Sequence, residues 1–162
     1  MTKKLCLTAM YAAVAIVIFV AEAQIPPLTP LPWIKLGLAN IVTVVAMLRI
    51  GKKEAAAVVL VRVLLGNLFT GQPISMIYSL AGAIPAFAVT VGMLWLVGKE
   101  RLWAVSAAAA IFHSLGQLLA ASVMSGSFGV MLYAPLMTAA SVVSGVFTGL
   151  AAQSYIKHTQ RR

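Results

Sequence analysis

At 162 residues, 62% hydrophobic and 9% charged, the chain is far more apolar than a soluble domain, whose charged fraction is about 25%. Twelve Lys and Arg stand against three acids, yet they sit in short clusters between apolar runs, the pattern of a multi-pass membrane protein and not of a nucleic-acid-binding stripe. Aspartate is absent and Cys6 is the single cysteine, which leaves little room for paired-carboxylate or carboxylate-held metal chemistry and excludes an internal disulfide.

The first apolar run, residues 5–21, follows Lys3 and Lys4. Ala21-Glu22-Ala23 resembles a signal-peptidase site, but the run exceeds the roughly 7 to 15 apolar residues of a signal sequence, so a retained helix is expected. Ala9 and Ala13 form a small-xxx-small step on which another helix can approach closely. Residues 22–35 then read as an outer lid loop. Pro26, Pro27, Pro30 and Pro32 hold it extended, Trp33 suits a membrane surface, and Lys35 stands at the entrance to the next helix.

Further spans are expected over residues 36–50, 54–70, 74–97, 103–124 and 130–156, each able to cross a hydrocarbon layer of about 30 Å, the second being the shortest. Gly82 and Pro85 are expected to bend the fourth. Gly145 and Gly149 give the sixth a close-packing step. Six spans place both termini on one side. Every cation except Lys35 and Arg62 falls at that end of the spans, so the termini are expected to be cytoplasmic.

The polar residues inside the spans are the informative ones. Arg62 lies about 12 Å from the cytoplasmic boundary and His113 about 15 Å, close to the midplane. Gln117 is one helical turn from His113 and shares its face. Asn67 and Asn40 lie further toward the outside, and Glu22 ends the first span. A buried arginine costs a few kcal/mol, roughly, even on lenient insertion scales, so Arg62 needs compensation. It is either a structural or snorkelling residue, or part of an outward cavity in which Lys35 and Arg62 attract a ligand that Asn40, Asn67, His113 and Gln117 orient. His113 is equally open to ligand contact and to a structural role. No metal or other cofactor is expected, since His158 lies in the tail and no ligand cluster exists.

Gly92 to Lys99 fails the nucleotide-loop pattern, with five residues between its glycines and Glu100 where Ser or Thr belongs. No serine, histidine and acid stand at triad spacing. The chain is therefore expected not to be an enzyme, and any ATP-driven work would need a partner.

Four blocks, KLGLAN at Lys35 to Asn40, RVLLGNLFTG at Arg62 to Gly71, YSLAG at Tyr78 to Gly82 and HSLGQL at His113 to Leu118, together resemble the bacterial family called Gx transporter or heptaprenyl diphosphate synthase component I. The resemblance runs through nearly the whole chain. The enzymatic name implies a place beside a prenyl diphosphate synthase. Active synthases of that kind hold magnesium with aspartate-rich motifs, so a chain without aspartate would be an accessory membrane subunit. The family is also similar to the substrate-binding S components of energy-coupling-factor (ECF) vitamin transporters. That likeness implies an all-α integral membrane protein with six transmembrane helices, a loop between helices one and two over an outward pocket, and a first helix whose AxxxA step, matched by Ala9 and Ala13, docks on a transmembrane coupling subunit driven by ATPase subunits.

The expected function is thus a multi-pass cell-membrane subunit that captures a small anionic or carbonyl-rich ligand, aromatic or isoprenoid-related, from the outside. A flavin, a quinone precursor or a prenyl phosphate would each qualify. The alternative is a non-catalytic accessory subunit of a heptaprenyl diphosphate synthase or of a membrane redox assembly. Neither reading involves nucleic acid.

Overall fold

The computed structural model describes residues 2–25 and 37–160, and they are all-helical. The helices are α1 (Thr2–Glu22), α2 (Asn40–Arg49), α3 (Lys52–Phe69), α4 (Pro73–Val97), α5 (Leu102–Ser125) and α6 (Ala134–Gln160), with a 3-10 turn (Phe128–Tyr133) leading into α6. Four candidate spans are long and apolar enough to cross a membrane: α1, α4, α5 and the turn with α6. The chain is a multi-pass membrane protein on that evidence.

Burial follows the same logic. Large apolar side chains point outward, with Ile84 68% exposed and Val123 81%, while Arg62 at 2% and Gln117 at 1% are inside. In water that arrangement would be severely unfavourable; in lipid it puts hydrocarbon against hydrocarbon and polar groups where they find one another.

Two helices depart from the expected spans. α2 is only 10 residues, about 15 Å, half a bilayer. Its expected start at 36 lies outside the described residues, and Gly37 has φ 78, a left-handed conformation that does not belong to a helix, so the helix begins at Asn40. α3 has 18 residues but carries Lys52, Lys53, Glu54 and Arg62, which keep it out of the apolar class despite its length.

α2 is buried on nearly every side, from Val42 to Met47, and forms the centre against which Ala12 and Ala15 of α1 and Ala55 and Val58 of α3 pack. Its other side meets Leu102 of α5 with Ala152 and Ile156 of α6. At the basic end, Lys4 of α1 pairs with Glu54 of α3 at 3.5 Å.

α5 runs between α4 and α6 and touches both along their length. Against α6 the approach is set by Gly145 and Gly149: a Cβ on Gly145 would sit 2.6 Å from the Ala107 Cα, and one on Gly149 would collide with Trp103. Two hydroxyl pairs zip the same seam, Ser106 with Thr148 at 2.9 Å and Ser114 with Ser141 at 2.5 Å. Small residues with interhelical hydrogen bonds are how helices associate where lipid gives no hydrophobic drive. Against α4, Gly116 faces the Ala81 carbonyl so closely that no Cβ fits. Pro85 explains that carbonyl: it has no N–H to return to the residue four before it, so Ala81 turns its oxygen to the neighbouring helix. α4 nonetheless runs unbroken through Pro85.

Candidate functional site

The interior polar cluster is built on the inner stripe of α3. Ala55, Val58 and Arg62 recur at helical spacing and are all buried, so the arginine occupies a position that apolar residues hold one and two turns earlier. Its Nη1 donates to Asn40 Oδ1 at 3.2 Å, joining α3 to the first residue of α2. Glu22, the last residue of α1, lines the same interior space as Arg62. Glu22 is 5% exposed, and its Oε1 accepts a 2.5 Å hydrogen bond from the Gly37 N–H, which ties the end of α1 to the approach of α2.

His113 of α5 is held between two glycine backbones. A Cβ on Gly37 would lie 3.0 Å from its Cδ2, and one on Gly82 of α4 would lie 2.9 Å from its Nδ1. Phe19 of α1 is packed onto Gly66 in the same way, 2.6 Å from where a Cβ would be. The imidazole Nδ1 thus faces the Gly82 backbone.

Glu22, Arg62, His113 and Gln117 meet Ser79 and Phe19 around a small cavity of about 10 Å³, room for about one water molecule. Arg62 Nε and Ser79 Oγ on its wall have no hydrogen-bond partner among the described residues, nor has Asn40 Nδ2 beside Arg62. Buried polar atoms are nearly always paired, so donors concentrated here are suited to meeting an added acceptor. The set is rich in donors and holds one carboxylate. It can grip an oxygen acceptor such as a carboxylate, carbonyl or phosphate while Glu22 offsets part of the arginine's charge.

Of the residues expected to bind ligand, Asn40, Arg62, His113 and Gln117 are brought together. Lys35 lies outside the described residues. Asn67 is buried but does not line the cavity; it donates to Val63 O of its own helix at 2.7 Å. Ala9 and Ala13 are exposed on the outer face of α1, away from the inward Ala12 and Ala15, and so are available to a partner helix. Ser79 is a cavity residue that sequence reasoning passed over.

The family model for heptaprenyl diphosphate synthase component I matches residues 11–155. The chain belongs to that family. No curated protein and no solved structure matches it. In this component I family member, the four sequence blocks that carried the resemblance each contribute to the site, alongside Phe19 and Glu22 of α1. Each supplies both a polar side chain and a closely approached glycine: Asn40 with Gly37, Arg62 with Gly66, Ser79 with Gly82, and His113 and Gln117 with Gly116.

Proposed function

We propose that this chain is a membrane-embedded binding subunit that takes up a small ligand bearing a carboxylate, carbonyl or phosphate, and works within a larger transporter of the S-component kind. The observation that carries the reading is the set of unpaired donors around Arg62 in the middle of an apolar bundle. Arg62, Asn40, His113 and Gln117 are the ligand contacts in this proposal. The bound group occupies the cavity beside Arg62, and a ligand larger than that enters when the Glu22 to Gly37 hydrogen bond parts. The chain itself performs no catalysis here, and energy comes from a coupling subunit with its ATPases in the cell membrane, docked on the exposed Ala9 and Ala13 face of α1.

A second reading has its own support. A cavity of about 10 Å³ is far below the roughly 300 Å³ or more of usual ligand pockets, as a structural subunit would require. The family's description then suggests a non-catalytic component that binds and steadies the second component of a heptaprenyl diphosphate synthase.

The Ala9→Leu, Ala13→Leu pair separates the two. Expressed in a host that carries the native partners and purified in mild detergent, the wild type is expected to bring down membrane and ATPase subunits, and the variant to lose them while keeping any bound small molecule. Recovery of a prenyl synthase subunit in their place would move the assignment to the second reading.

A further inference from the structure

A lateral groove lies apart from the Arg62 cluster, on the outer surface between α1 and α6. Its origin is the shape of three elements. One wall is the stripe Met10, Val14 and Ile18, spaced four residues apart on α1. The other wall is thin because α6 presents Ala151 and Ala152 there, and the floor is Val45 on short α2. The groove is almost wholly apolar, about 310 Å³, and by helical rise about 10 Å long from Tyr11 to Ile18.

Its end nearer the basic side of the bundle is polar. Tyr11 and Tyr155 line that end with their hydroxyls close together, and the Arg49 guanidinium sits 5.7 Å from the centroid of the Tyr155 ring. Arg49 is exposed, and among the described residues no carboxylate pairs with it. A cation over an aromatic ring at the mouth of a hydrocarbon slot offers one anionic contact and one apolar contact in line.

We infer that this groove binds a phosphate-headed membrane lipid, with one apolar chain laid between α1 and α6 and its phosphate at Arg49. The apolar lining by Met10, Val14, Ile18 and Ala151 suits a hydrocarbon chain. Charge selects the head: an uncharged lipid would fill the slot and leave Arg49 unmatched. The inference is independent of the transporter reading and of the Arg62 cluster.

The test is native mass spectrometry of the delipidated full chain in mild detergent, titrated with farnesyl phosphate, farnesol, dioleoyl phosphatidylglycerol and dioleoylglycerol. One equivalent of a phosphate-bearing lipid is expected to bind at least tenfold more tightly than its uncharged counterpart, and the better of the two phosphate lipids identifies the source. Arg49→Gln should reduce that preference to within twofold. Ala151→Phe and Val14→Phe, both at exposed positions, should each weaken binding tenfold or more with helix content and melting temperature unchanged. Equal affinity for charged and uncharged lipids, or wild-type binding by both phenylalanine variants, would overturn the proposal. So would a co-purifying protein that Ala151→Phe releases while no lipid binds the wild type.

Discussion

Arg62 Nη1 donates to Asn40 Oδ1 across 3.2 Å, so the one charge buried in α3 is held by the first residue of α2 and does not snorkel to a membrane surface. The bond fixes where the short helix begins. Asn40→Leu removes the acceptor of Arg62 Nη1 and should cost about 2 kcal/mol, the range for a hydrogen bond to a charged group. Denaturant unfolding in detergent measures it. Asn40→Asp restores an acceptor and is expected to recover most of the loss; wild-type stability in Asn40→Leu would mean that the arginine is satisfied elsewhere.

The His113 ring fits only because Gly82 has no side chain. Gly82→Ala should displace the imidazole and destabilise by about 1 to 3 kcal/mol, the usual penalty for overpacking. Since the clash is with one side chain as well as its carbonyl, His113→Ala in the same molecule should recover part of it. A double-mutant cycle is expected to give a coupling of about 1 kcal/mol. Strict additivity would place the obstruction at the α5 backbone alone.

Along the α5 and α6 seam, shape should outweigh hydrogen bonding. Ser114→Ala removes a buried hydroxyl pair and is expected to cost about 0.6 kcal/mol, typical of interhelical hydrogen bonds in membranes. Gly145→Leu forces the backbones apart at Ala107 and should cost at least about 3 kcal/mol or prevent folding. Thermal unfolding of both variants in one detergent compares them directly, and the reverse order would contradict this account of the seam.

The polar interior was legible because membrane spans make it so: Arg62, His113 and Gln117 are conspicuous among Val, Leu and Ala, and the one-turn spacing of the last two put them on one face. Asn67 is equally conspicuous; its amide nitrogen donates to the Val63 carbonyl of its own helix, and its Oδ1 is buried without a partner among the described residues. Leu36 to Ala39 reads as apolar helix in the sequence, and only the φ of Gly37 shows the turn before Asn40. Gly145 and Gly149 announced their packing through their spacing. Gly37, Gly66 and Gly82 did not, because each makes room for a side chain from a distant helix, and such a relation exists only in the folded chain. Ser79 was hidden for the same reason, being one small hydroxyl residue among several on α4 until the bundle turned it toward the cavity.

The central claim is that the cluster around Arg62 holds a ligand, and native mass spectrometry of the purified wild type beside Arg62→Gln tests it most directly. The wild type is expected to carry one small molecule with a carboxylate, carbonyl or phosphate, identified by fragmentation, and the folded Arg62→Gln protein to have lost it. The same adduct at full occupancy in Arg62→Gln would contradict the claim. A wild type without a small molecule that travels with a prenyl synthase subunit would contradict it as well.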